Sequence, residues 1–425
     1  MEKSDREKVI LAGVLEASEG VRYEDFLHSM DELAELALAC GKEPVERFVQ
    51  TLDRRTAALY MGSGKVEEIK AAVGELNAVK VIFNDTLTPI QIRNLQKELS
   101  AEVIDRTALI LEIFQIRART REAKLQVELA RLAYMKPRLI GMWEKQNRQG
   151  GASGAMSSKG EGETQLEIDR RTIDHRIADL KRELKVVERE RLTQRKKRKA
   201  SGLPLVSLVG YTNAGKSTIM NAFVKKYGES DKQVFEADML FATLDTTVRK
   251  IKVKRREDFL LSDTVGFIQK LPTGLVEAFK STLEDVKEAD LILHVVDYSD
   301  ERFKEQMETT NATIAELDAG DAAMLVVYNK CDLRTDTEYP RRGQALRSGT
   351  DRLNGSVFIS AASEQSIEAL SDAILDMLYG EIVEEEIFFP YSKGGEMADV
   401  ISHSEIISSE YTGDGVKLRL RRRKK

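Results

Sequence analysis

Two cysteines in 425 residues, Cys40 and Cys331, are too few for a disulfide framework. Their scarcity points to a reducing compartment, the cytoplasm. Four scattered histidines argue against a zinc centre. No apolar run is long enough to cross a bilayer as a helix, so no membrane span is expected. The opening stretch Met1-Glu2-Lys3-Ser4-Asp5-Arg6-Glu7-Lys8 has no apolar core, and an export signal is not expected either. What remains is 42% hydrophobic and 32% charged, the balance of a helix-rich globular protein. At this length two or three domains are expected rather than one core.

Charge is unevenly spread. Residues 101–200 carry 24 Lys and Arg against 15 Asp and Glu. Residues 1–100 carry 13 against 18, and residues 201–425 carry 29 against 38. One basic segment therefore interrupts an acidic protein of net charge −5. Such asymmetry fits a polyanionic partner, and equally a solvated helix face with paired charges.

Along residues 1–106 strand-like and helix-like pieces alternate. Val9–Leu15, Arg47–Leu52, Val79–Asn84 and Glu102–Asp105 read as strands. Helices are expected from a capping Ser29, over Lys65–Leu76, and over Thr88–Leu99 with Pro89 at its start. This is the pattern of a small α/β domain with a mostly parallel sheet. Residues 107–135 read as one long helix ended by Pro137. A loop with Gly141, Gly150, Gly151, Gly154, Gly160 and Gly162 follows. A second long helix is expected from Glu163 to Lys199. Its Ile173, Ile177, Leu180, Leu184 and Val187 step by four and three, as in a coiled-coil seam. The two helices imply an antiparallel hairpin over 107–200 with the Gly-rich loop at its tip. Residues 383–425 read as a small appendage ending in a basic tail, Arg421–Lys425.

The chemistry is concentrated in residues 203–380. The apolar strand Leu205–Val209 runs into Gly210-Tyr211-Thr212-Asn213-Ala214-Gly215-Lys216-Ser217, and Thr218 begins a helix. Strand, Gly-bounded loop and helix are the context of a phosphate-binding loop. Its backbone N–H groups can cradle a β-phosphate, Lys216 can reach the β/γ oxygens, and Ser217 can bind Mg²⁺. Gly62-Ser63-Gly64-Lys65 lacks the first spacing of such a loop and reads as a turn before a helix. Asp263-Thr264-Val265-Gly266 follows a strand: Asp263 can hold Mg²⁺ through water, and Gly266 can offer its N–H to a γ-phosphate. The next residue is Phe267, where many regulatory GTPases have a water-orienting Gln. Hydrolysis is therefore expected to be slow without a partner. Between these motifs lies Phe241-Ala242-Thr243-Leu244-Asp245. Thr243 is the candidate second Mg²⁺ ligand, and spacing alone leaves Thr246 and Thr247 as rivals. A buried strand, Met324–Tyr328, leads into Asn329-Lys330-Cys331-Asp332. The Asp332 carboxylate can accept both N1–H and the 2-amino group of guanine, whereas adenine would leave it unpaired. Lys330 is expected over the base, with Asn329 tying this loop to the phosphate loop. Ser360-Ala361-Ala362 are small residues whose backbone can reach the guanine carbonyl. The nucleotide is therefore GTP, with GDP as product.

The only tryptophan, Trp143, lies in the Gly-rich stretch with Lys145, Arg148 and Lys159. An aromatic among cations suits unpaired RNA, by stacking and phosphate contact, but the residues alone slightly favour a Trp143 packed at the base of a passive loop.

The phosphate loop, Leu240–Asp245, Asp263–Pro272 and the Gly-rich stretch before Gly160-Glu161-Gly162-Glu163-Thr164-Gln165-Leu166 closely resemble the HflX family of translation-factor-related GTPases. The resemblance covers most of the chain. It implies an α/β multidomain fold: a small N-terminal α/β domain (1–106), a long antiparallel helical hairpin (107–200) and a Ras-like P-loop GTPase domain (203–380); the small C-terminal appendage (383–425) is the part it covers least. It implies binding to the large ribosomal subunit and its RNA, with the hairpin loop toward the peptidyl-transferase region, and a role in splitting or rescuing ribosomes under stress. It favours RNA binding at the tip and puts the switch Mg²⁺ ligand at Thr243. Family members commonly read Leu-Asp-Pro-Thr where this chain has Leu244-Asp245-Thr246-Thr247, a change that would loosen the switch. The expected protein is a monomer off the ribosome. The alternative is a GTP-gated module for a non-ribosomal RNA.

Overall fold

The computed structural model describes residues 6–149, 158–200, 202–228, 247–253, 257–264, 266–268, 285–316, 322–334, 345–346, 354–402 and 404–424. The chain forms two compact units, one containing residues 1–197 and the other most of residues 198–425.

The first unit opens with β1 (Glu7–Glu16), α1 (Tyr23–Ala39), β2 (Lys42–Leu52), α2 (Ser63–Leu76), β3 (Lys80–Phe83), α3 (Pro89–Leu99) and β4 (Glu102–Asp105). The sheet is wholly parallel, in the order β2-β1-β3-β4. β1 is buried on both faces over Val9–Leu15, which is why it reads as a continuous apolar run. Ile10, Ala12 and Val14 pack with Ile69 of α2 and Leu95 of α3. α3 starts as its sequence dictates: Thr88 and Gln91 form a reciprocal capping box and Pro89 takes the first helical position. The start of α1 differs from expectation. It lies at Tyr23, and Ser29 is buried inside the helix, accepting a hydrogen bond from Asn84 Nδ2 at 2.9 Å. A serine that looks like a cap is here satisfied by a neighbouring strand end.

Three further helices complete this unit: α4 (Arg106–Arg117), α5 (Arg121–Gln149) and α6 (Ser158–Ala200). The single helix expected over 107–135 is thus broken. Ala118 leaves the helical region, and the Thr120 hydroxyl caps a new helix by accepting Ala123 N–H at 3.1 Å. Pro137 does not end α5 but lies inside it. Contacts on both sides hold the helix through the proline. Tyr134 donates its hydroxyl to Asp105 Oδ1 at 2.8 Å, and Arg138 donates to Asp105 Oδ2 at 3.1 Å and to Leu87 O at 3.0 Å. α6 also starts earlier than Glu163. α5 and α6 run antiparallel, as their ion pairs show: Lys136 with Asp174, Glu128 with Arg176, Arg121 with Glu183 and Glu122 with Arg191. Leu180, in the middle of the apolar seam, is fully buried.

The second unit is built on β5 (Leu205–Gly210), α7 (Lys216–Tyr227), β6 (Thr247–Ile251), β7 (Phe259–Asp263), β8 (Leu291–Asp297), α8 (Phe303–Glu316), β9 (Ala323–Asn329), β10 (Ala345–Leu346), β11 (Asn354–Phe358) and α9 (Glu364–Tyr379). Its sheet runs β10-β11-β9-β8-β5-β7-β6. The five inner strands are parallel and the two edges antiparallel. β5 lies between β7 and β8, so the chain reverses its direction of travel across the sheet there. In open α/β sheets ligands bind at the carboxyl ends of strands at such a point.

After α9 come β12 (Glu381–Pro390), α10 (Gly394–Ser402), β13 (Glu405–Tyr411) and β14 (Gly415–Lys424). They make an antiparallel sheet in the order β12-β14-β13. Phe389, Val416, Leu418 and Leu420 pack against Met397, Val400 and Ile401 of α10. Residues Arg421–Lys424, expected as a tail, belong to β14, where Arg421 pairs with Glu384 across the strands.

Candidate nucleotide site

The site is assembled from the carboxyl ends of β5, β7, β8, β9 and β11. β5 is buried throughout and delivers Gly210 to the start of the loop. A side chain at Gly210 would put its Cβ 2.1 Å from Val295 O. Gly215 has φ +94°, and a Cβ there would lie 2.2 Å from Asn329 Nδ2. Both glycines are therefore demanded by close approach as well as by conformation. Asn213 also adopts the left-handed region, at φ +60°. Lys216 and Ser217 open α7, so the loop's N–H groups and the helix N-terminus face the same space.

Lys216 is 6% exposed. Its ammonium donates to Gly210 O at 3.0 Å and Tyr211 O at 2.6 Å, which curls the side chain over the loop. Burial pushes its pKa down to about 8, and the nearby Asp263 carboxylate opposes that shift. Ser217 donates its hydroxyl to Asp263 Oδ2 at 3.0 Å. These two oxygens, one neutral and one anionic, fit a hard cation that takes few protein ligands and completes its shell with phosphate and water. Among the described residues, no group of three or more His, Cys, Asp or Glu could hold a metal by itself.

The segment after Asp263 is laced to the loop. Thr212 N–H donates to Phe267 O at 2.8 Å, and Phe267 N–H donates to Gly210 O at 3.2 Å. Thr264 donates its hydroxyl to Leu208 O at 2.6 Å. Gly266 is held so close that a Cβ would meet Thr212 Cα at 2.9 Å and Lys216 Nζ at 3.1 Å. Phe267 is 3% exposed and packs with Val209, Val286, Ile292 and Ile314. Its side chain is committed to the core.

Asn329 joins the two halves. Its Nδ2 donates to Ala214 O at 2.9 Å, and its Oδ1 accepts Ala361 N–H at 3.0 Å. One amide thus connects the phosphate loop, the end of β9 and the segment after β11. Lys330 has φ +61° and its Nζ lies 2.7 Å from Asp297 Oδ2. Cys331 N–H donates to Ile359 O at 3.2 Å, and its Sγ lies 3.1 Å from Tyr328 O. Asp332 is exposed in the following turn, its carboxylate open to a ligand. Ser360 N–H donates to Ser366 Oγ at 3.3 Å, and Ala361 and Ala362 follow on the rim.

Family models match three consecutive stretches. Residues 27–115 match the GTP-binding GTPase N-terminal family, residues 117–198 the GTP-binding GTPase middle region, and residues 205–330 the 50S ribosome-binding GTPase family. The chain is 40% identical over 414 residues to the GTPase HflX of Lacrimispora saccharolytica, covering 97% of this chain and 93% of that one. This chain belongs to the HflX family of GTPases. It is also 40% identical over 368 residues to the GTPase HflX of Escherichia coli, covering 87% and 83% of the two chains. A GTP-binding protein of Sulfolobus solfataricus, solved with GDP, is 22% identical with a TM-score of 0.44, covering 87% of this chain and 98% of that one. As an HflX GTPase the chain is a GTP hydrolase. The 414-residue match also extends into residues 383–425, the part expected to be least covered.

Other expected site residues fall elsewhere. Phe241, Ala242, Thr243, Leu244, Asp245 and the rival Thr246 lie outside the described residues, as does Val265. Thr247, the other rival, opens β6 opposite Asp263. Trp143, Lys145 and Arg148 belong to α5 and Lys159 to α6, so these positions are helical rather than looped. Single glycines such as Gly141 cost a helix only about 1 kcal/mol each, which strong neighbours can absorb. Asp297 joins the site without belonging to any of the motifs. Its signal was there: like Asp263 and Asn329, it closes an apolar parallel strand with a polar residue.

Proposed function

We propose that this GTPase is a Mg²⁺-dependent switch that binds the large ribosomal subunit in its GTP state and acts in ribosome splitting or rescue under stress. Residues 1–106, 107–200, 203–380 and 383–425 are its four domains, and it works in the cytoplasm as a monomer off the ribosome. Lys216 neutralises the β/γ-phosphate oxygens. Ser217 and Thr243 would hold Mg²⁺ directly and Asp263 through water, and the Gly266 N–H would meet the γ-phosphate. The cation, when bound, supplies charge neutralisation on the β- and γ-oxygens. Asp332 reads the guanine edge, the Lys330 stem covers the ring, and backbone N–H groups of Ser360–Ala362 face its carbonyl. Loss of the γ-phosphate releases Thr243 and Gly266 and lowers affinity for the subunit.

The observation that supports the nucleotide half most directly is the Asn329 bridge between Ala214 O and Ala361 N–H. It brings the phosphate-binding and base-binding segments into one rigid frame. The ribosomal half is supported by the description of the family matched over residues 205–330 and by the excess of cations in residues 101–200. The test is sedimentation with isolated large subunits in GDP and in a non-hydrolysable GTP analogue, over a salt series. Retention only with the analogue, weakened by salt, is expected. Equal retention in both states, or none, overturns the reading.

A further inference from the structure

We propose that Asp297 positions Lys330 against the guanine ring, and so sets nucleotide affinity without choosing the base. This rests on the reading of Asn329–Asp332 as the guanine site.

Asp297 closes β8, which runs parallel to β9, and stands opposite Asn329. The strand end cannot drift, because Tyr298 N–H donates to Asn329 O at 2.9 Å. The two carboxylate oxygens have separate duties. Oδ1 accepts the N–H of Ser299 at 3.0 Å and its hydroxyl at 2.6 Å, a local turn that fixes the carboxylate plane. Oδ2 is thereby left for the Lys330 ammonium at 2.7 Å.

Lys330 is fixed at its other end too. Its backbone is left-handed, and the next N–H, of Cys331, is bonded to Ile359 O at 3.2 Å. With backbone and ammonium both held, the four-carbon stem between them has few rotamers left. A stem held in place before the ligand arrives loses little entropy when a base slides beneath it. The contact is apolar and falls on the ring face, so it is the same for any purine. Base choice stays with Asp332. The pair is only partly screened from water, with side chains 15% and 26% exposed, so its role is orientation rather than stability.

The test uses the full chain and four proteins: wild type, Asp297→Asn, Lys330→Ala and the double variant. Asparagine keeps an acceptor for Ser299 while presenting an amide to Lys330. Kd is measured for GDP, a non-hydrolysable GTP analogue and IDP, together with KM and kcat for GTP. Asp297→Asn should raise all three Kd values by a common factor, roughly 3- to 10-fold, the loss expected for one unrestrained side chain. KM should rise and kcat should hold. In the Lys330→Ala background the same change should add nothing. Asp297→Glu, which restores the charge, should recover part of the loss. If Lys330→Ala weakens binding but Asp297→Asn does not, the positioning role is overturned and the guanine site stands. An equal effect of Asp297→Asn in both backgrounds also overturns it. If Lys330→Ala leaves every Kd unchanged, the guanine-site reading itself fails.

Discussion

Lys216 is a cation held away from water, and that gives the site a pH dependence. Its pKa in the free protein is about 8, against an ordinary value near 10.5. The ammonium is therefore lost from the folded, empty site as pH rises through about 8, while the unfolded chain keeps it. Two consequences have opposite sense. The empty protein gains stability between about pH 8 and 10.5, because there the unfolded state binds more protons. Phosphate binding, which needs the charge, weakens by up to about tenfold per unit above pH 8. Calorimetric Kd values for GDP between about pH 6.5 and 9 should show a plateau, then a rise; a flat profile would mean that burial does not perturb Lys216. His294 gives the mirror case at low pH. Burial and the nearby Lys216 charge push its pKa down to about 4, so it is neutral in the fold. Stability should fall as pH drops from about 6.5 toward 4, where only the unfolded chain takes up the proton. His294→Asn should flatten that limb of the denaturation midpoint against pH, whatever its effect at pH 7. Base choice is a third residue-scale matter. Asp332→Asn should weaken GTP by roughly 10- to 100-fold, the worth of charged hydrogen bonds, and favour xanthosine triphosphate, whose extra carbonyl suits the amide. Unchanged GTP affinity would remove the guanine assignment. Lys216 and Asp332 were legible in the sequence because their chemistry fixes their type. Asp297 was not, because its value lies in a partner 33 positions away.

Elements were legible where burial dictates a continuous pattern, and less so where they end. β1 and β5 are buried parallel strands, and their apolar runs show it, whereas the equally apolar run of β9 alternates buried with half-buried positions. The seam of α6 likewise marks its covered face, with Leu180 at its centre. Helix ends depend on distant partners. Pro137 is carried through α5 by Asp105, which lies at the end of β4 and is itself fully buried. No local pattern around Pro137 reveals that anchor. The end of β14 was hidden in the same way: Arg421–Lys424 look like a tail until Glu384 on β12 is seen beside Arg419 and Arg421. The seam supports a stability prediction at this scale. Leu180→Ala should cost the hairpin about 2–5 kcal/mol, as buried leucine truncations do. Hydrogen exchange should quicken along residues 121–149 and 158–200, with GDP affinity unchanged. Unaltered exchange would mean that the two helices do not depend on their seam.

At the scale of the whole molecule the question is how nucleotide and ribosome speak to each other. Phe267 stands where a water-orienting glutamine would be, and its ring is sunk in the core. Intrinsic turnover should therefore be slow and the large subunit should accelerate it; fast turnover by the chain alone would sink this. The stronger constraint is thermodynamic. If the GTP form binds the subunit more tightly than the GDP form by some factor, the subunit must favour a GTP analogue over GDP by that same factor. Couplings of this kind are usually about 5- to 150-fold. The first factor comes from subunit titrations of the protein saturated with each nucleotide. The second comes from nucleotide titrations with and without saturating subunit. Equality, at a value well above one, is the expected result. A factor of one on both routes would show that nucleotide does not gate ribosome binding, whatever the hydrolysis rate. Deleting residues 146–159 separates contact from gating. If the tip supplies the RNA contact, the deletion lowers subunit affinity in both nucleotide states and leaves the free protein's Kd for GDP untouched. Unchanged subunit binding and splitting by the deleted protein would make the tip a passive connector, and the contact with RNA would have to lie elsewhere in the chain.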